Sequence, residues 1–115
     1  MSQYKNEIVL VGKEIKDKEG NVSKASFTPN GAQVVRFQVN VPYETKNPNG
    51  TKQERNSYFY ISAWGKAGEN VSATLTEGAL VEVKGFLQNR SWTDKVTNKK
   101  VYRLEISARE VALVL

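Results

Sequence analysis

Residues 57–92 read SYFYISAWGKAGENVSATLTEGALVEVKGFLQNRSW, and this stretch decides the fold. It opens in strict alternation. Phe59, Ile61 and Ala63 share one face, and Tyr58, Tyr60, Ser62 and Trp64 share the other. A period of two is the pattern of a strand. The alternation then stops. From Ala67 to Thr76 the apolar residues Val71 and Leu75 stand four apart, which predicts a short helix, and Gly78 follows as its stop. Alternation resumes from Ala79 to Trp92. Val81, Val83, Gly85 and Leu87 face one way; Lys84, Phe86, Gln88, Arg90 and Trp92 face the other.

Working outward, two more strands precede this stretch and one follows it. Glu7 to Ile15 is rich in Ile, Val and Leu. Val35, Phe37, Val39 and Val41 alternate with Arg36, Gln38 and Asn40. Downstream, Tyr102, Leu104, Ile106 and Ala108 alternate with Arg103, Glu105 and Ser107. Turn formers separate them: an irregular stretch from Asp17 to Gly31, a loop from Glu44 to Asn56, and another from Thr93 to Lys100. Five strands with a helix between the third and fourth predict an all-β protein. The layout is that of the OB-fold, a five-stranded Greek-key barrel with one short helix between strands 3 and 4. An SH3-like barrel is the strand-rich alternative, against which the helix and the length argue. The 115 residues suit one domain, 1–115.

Composition removes whole classes of chemistry. There is no cysteine, hence no disulfide and no thiolate zinc site. There is no histidine, the commonest general base and metal ligand. No phosphate-binding GxxxxGK[ST] loop occurs, and the only aspartates are Asp17 and Asp94. The glutamates show no spacing with a catalytic logic. No enzyme activity, cofactor or metal is therefore expected. No signal peptide or membrane-spanning run is seen. The net charge of +5 favours an anionic partner such as nucleic acid.

The outer faces carry the functional signal. A half-buried strand ordinarily shows water small or charged polar residues. Here Tyr58, Tyr60 and Trp64 lie on one such face, and Phe86 and Trp92 on another. Exposed aromatic surface of this extent marks an interaction site. Lys84, Gln88 and Arg90 are interleaved with the rings. Rings accept stacked bases of any sequence, and cations neutralise phosphates. The bland alternative is that the rings pack in a second core or between subunits. In the 44–56 loop, Lys52 and Arg55 are candidate contacts of a flexible basic finger.

Several motifs together resemble the bacterial-type single-stranded DNA-binding protein family. They are Asn6 to Gly12 (NEIVLVG), Thr28 to Gly31 (TPNG), Val35 to Val39 (VRFQV) and Trp64 to Lys66 (WGK). Further on come Gly78, Val81 to Gly85 (VEVKG) and Arg90 to Asp94 (RSWTD). The resemblance implies an OB-fold that assembles as a homotetramer, or less often a dimer, and wraps single-stranded DNA. It implies stacking roles for Tyr58, Trp64 and Trp92, a DNA-facing Arg90, and a further ring near Thr45, for which Tyr43 is the candidate. Cytoplasmic, nucleoid-associated work in replication, recombination or repair follows from the same resemblance. Family members usually add a disordered tail with an acidic tip that recruits other proteins. The sequence stops at Leu115, just past the last strand, so no recruiting role is expected of these residues. The stretch from Asp17 to Ser26 is longer and more basic than the family pattern. The second functional class is an OB-fold accessory protein, a primosome or helicase helper, whose main partner is another protein.

Overall fold

A computed structural model describes residues 3–74 and 76–114. Its elements run β1 (Ile8–Ile15), β2 (Lys24–Phe27), β3 (Gln33–Lys46), β4 (Lys52–Trp64), α1 (Lys66–Thr74), β5 (Leu80–Thr93) and β6 (Lys100–Leu113). Five of the strands close on themselves. β1 pairs with β5, β5 with β6, β6 with β4, β4 with β3, and β3 returns to β1. Among the described residues, only the β4–β6 seam is parallel, from Ile61↔Ile106 to Ala63↔Ala108. Closure removes most of the open edges that a sheet would otherwise expose, leaving the Ile8–Gly12 part of β1 and the outer side of β2. The architecture is the OB-fold barrel, with α1 between its third and fourth strands.

The alternating faces meet inside. Val35, Phe37, Val39, Ile61, Ala63, Val81, Val83, Ile106 and Ala108 form the core. Helix α1 packs against β3, β4 and β6. It buries Ala67 and Val71, four residues apart on one face, into the same cluster. Leu75, expected as its next apolar residue, lies outside the described residues. Full burial of a Val or Ile side chain contributes about 1.5–3 kcal/mol. This core is therefore the main source of stability in a chain without disulfides.

Four expectations need correction. The stretch 17–31 is not wholly irregular: Lys24–Phe27 pairs with β3 from Lys24↔Arg36 to Phe27↔Gln33. β2 has no buried face, so it carries no alternation to read. The 44–56 segment is mostly strand, because β3 and β4 stay paired out to Lys46↔Lys52. It is a projecting ribbon whose turn is confined to 47–51. Leu87 and Leu104, on core-facing parity, are 39% and 59% exposed, because β5 and β6 also run past the barrel. Conversely Ser62, Glu105 and Ser107, on polar parity, are buried, and Ser62 Oγ donates to Glu105 Oε1 between β4 and β6.

Two local devices set the course of β5. A β-bulge falls at Lys84/Gly85, where Gly85 pairs with Ala108 but Lys84 pairs with Glu110, leaving Arg109 as the extra residue. A side chain at Gly85 would place its Cβ 2.0 Å from the Ser107 carbonyl oxygen, so only glycine fits. Asn6 then extends the ladder with its side chain. Its Nδ2 donates to the Leu87 carbonyl at 2.7 Å, and its Oδ1 accepts from the Leu87 N–H at 2.9 Å. No helix among the described residues is long and apolar enough to cross a membrane.

Candidate nucleic-acid interface

The register brings the polar-parity residues of four strands onto one outer face. On β4, Tyr58 and Tyr60 stand opposite Asn40 and Gln38 of β3. On β5, Gln88 and Arg90 stand opposite Glu105 and Arg103 of β6. The parallel match of Ser62 with Ser107 puts these two pairs of strands on one side of the barrel. Tyr58, Tyr60 and Trp64 are 56%, 39% and 38% exposed, while Phe86, Arg90 and Trp92 are partly covered. Tyr58 and Trp64 stand on opposite ends of the face, roughly 20 Å apart along the strand.

The rings and cations touch. The Arg103 guanidinium lies 4.1 Å from the Tyr60 ring centre and 5.4 Å from that of Trp92. Arg90 lies 4.7 Å from the Trp92 ring, and Arg109 lies 4.9 Å from Phe86. Arg90 and Arg103 are direct cross-strand partners, a like-charge pairing that is ordinarily unfavourable. The ring faces offset it by cation–π attraction, worth about 0.5–1 kcal/mol each at exposed sites and more when desolvated. The outcome is a concentrated positive field between flat apolar plates. Arg36, on β3, joins it; burial and then neighbouring Arg90 hold its pKa below the ordinary arginine value, with Glu105 pulling it back.

Not every candidate joins this cluster. Lys84 lies on the same side of β5, but its ammonium is 3.6 Å from Glu82 and 4.0 Å from Glu110. Lys52 sits on the projecting ribbon, on the Tyr58 parity, 4.0 Å from Glu44. Tyr43 and Arg55 are cross-strand partners on the ribbon's opposite parity. Arg103, Arg36 and Arg109 are cations of this surface that the sequence did not single out. Arg103 was visible only as one polar residue in the alternation of β6; its contact with Tyr60 and Trp92 required the register. Among the described residues, no group of three or more metal-ligating side chains converges.

Fold and face together define a class: OB-fold proteins that present aromatic rings and cations side by side on an open sheet surface. The chain belongs to the single-strand binding protein family, whose model matches residues 5–114. It is 32% identical over 114 residues to single-stranded DNA-binding protein 1 of Chlorobaculum tepidum, covering 99% of this chain and 67% of that protein. It is 33% identical over 89 residues to the single-stranded DNA-binding protein of Aquifex aeolicus, covering 77% of this chain and 59% of that one. It thus spans between about half and two thirds of the length of several curated relatives. Among solved structures it resembles Plasmodium falciparum SSB in complex with single-stranded DNA. The TM-score is 0.77 at 17% identity, over 99% of this chain and 97% of that one. A deletion mutant of the Thermus aquaticus single-stranded DNA binding protein gives 0.77 at 21%, over 96% and 50%. At these identities the structures speak for the fold.

Proposed function

We propose that this chain binds single-stranded DNA with little sequence preference and so protects unpaired strands during replication, recombination or repair. Bases stack on Tyr58, Tyr60, Trp64, Phe86 and Trp92, while Arg90 and Arg103 neutralise phosphates. Lys52, Arg55, Tyr43 and Lys84 supply outlying contacts. The observation that carries this is the convergence of ring and guanidinium on one outer face, with Arg103 seated against both Tyr60 and Trp92. Every base has a π-face, so a surface of this kind needs no particular sequence.

The test is tryptophan emission during titration with oligo-dT. Trp64 and Trp92 should be quenched, and Trp64→Ala or Trp92→Ala should each weaken binding by about 1–3 kcal/mol. Affinity no better than about 10⁻⁴ M at physiological salt is generic attraction and would sink the proposal.

The same proposal includes self-assembly, with a homotetramer favoured over a dimer, and a cytoplasmic, nucleoid-associated location. Val9 and Val11 support assembly: they project from the outer face of β1, 60% and 44% exposed. Among the described residues, the Ile8–Gly12 part of that strand pairs only with β5. Light scattering with and without oligo-dT should report a multiple of the 12.9 kDa chain mass. A monomer at every concentration would remove the assembly part of the proposal.

A further inference from the structure

Beside Tyr60 the same face opens into a cavity of about 170 Å³. The segment leading into β2 folds over the sheet to wall it. An Asx turn holds that segment: Asp17 Oδ1 accepts from the N–H groups of Glu19 and Asn21 at 2.9 and 2.8 Å. Val22 and the Tyr60 ring contribute apolar walls, and Lys24, Arg36 and Arg103 contribute cations beside the carboxyl groups of Asp17 and Glu105.

The donors and acceptors here are unevenly used. Arg36 Nη1 donates to Ser26 Oγ at 3.3 Å. Its Nε–H is buried without an acceptor among the described residues and out of a ligand's reach, so only the terminal nitrogens can meet one. Glu105 is buried, and its Oε1 accepts from Ser62 Oγ at 2.8 Å, which fixes the carboxylate in the wall. With cations and carboxyl groups facing one space, the cavity fits a flat ring whose edge carries both acceptors and donors.

We infer that this cavity receives one guanine base of a bound strand. Guanine presents adjacent O6 and N7 acceptors that match the forked donors of arginine. Its N1–H and N2–H₂ groups remain for a carboxylate. Adenine places a donor beside N7, and thymine has no adjacent pair of acceptors. Unpaired cytosine also offers two adjacent acceptors, N3 and O2, but its smaller ring fills less of the cavity, so dC is the competitor to be separated from dG. The site gives an otherwise sequence-tolerant surface a preference at a single position, and it rests on the single-stranded DNA reading above.

The experiment compares oligo-dT with the same oligonucleotide carrying one central dG, dA or dC, read by tryptophan quenching. The dG strand should bind about fivefold tighter or more, the low end of what one arginine–base pair discriminates. Arg36→Lys keeps the charge but loses the fork; the dG-to-dT affinity ratio should then fall to about one, whatever the absolute affinity. Equal binding of all four strands overturns the inference while leaving the broader proposal intact. A gain with dC alone, or a dG gain that survives Arg36→Lys, overturns it as well. If no strand binds at all, both proposals fall.

Discussion

Glu14 shows what one buried carboxyl does to this barrel. It sits on the core-facing parity of β1, fully buried. Neither carboxylate oxygen has a hydrogen-bond partner among the described residues. Desolvation, and then the charge of Glu77, push its pKa from 4.5 to about 7, while Lys16 pulls it back. Between those two values the native state keeps a proton that the unfolded chain releases. The contribution of Glu14 to stability is therefore fullest below about pH 4.5 and declines as pH rises through 7. The gap corresponds to at most about 3 kcal/mol. Glu14→Gln keeps the shape and removes the charge. It should flatten this decline and raise the urea midpoint above about pH 7. A variant that keeps the wild-type slope would show that Glu14 is not the source. Sequence placed this residue correctly on the strand. Its environment was not legible, because burial at Glu14 depends on the 77–79 turn, whose Gly78 N–H donates to the Glu14 carbonyl.

Among the elements, the β5–β6 ladder decides where the functional face sits. The bulge at Lys84/Gly85 leaves Arg109 unpaired in the ladder and lays its guanidinium over Phe86. Gly85→Ala would drive a methyl group into the Ser107 carbonyl. The expected cost is about 1–3 kcal/mol, the range of overpacking, measured by urea unfolding. Full wild-type stability would mean that β5 and β6 do not approach so closely. Alternation made β5 legible from Ala79 to Trp92, yet nothing in it marked the bulge. Likewise Lys24–Phe27 was not read as a strand, since its four residues are all exposed and its only signal is the β3 edge it joins.

At the scale of the whole molecule, the net charge of +5 is modest; its placement matters more. Log affinity for a single strand should fall linearly with log salt, by about 0.7 per neutralised phosphate. Arg103→Ala should lower affinity and reduce that slope by about 0.7, the signature of one lost phosphate contact. An unchanged slope with weaker binding would assign Arg103 to holding the Tyr60 and Trp92 rings rather than to the phosphate chain.

The sequence by itself determined the barrel strands, the place of the helix, and the rings of Tyr58, Tyr60, Trp64, Phe86 and Trp92 on polar parity. Those are local matters, because side chains alternate along a strand whatever it pairs with. Only the tertiary structure decided that Arg103 meets Tyr60 and Trp92, that buried Ser62 and Glu105 are hydrogen-bonded across β4 and β6, and that the segment after β1 walls a cavity on the same face. Those depend on register and closure between residues far apart in the chain, which no local period encodes.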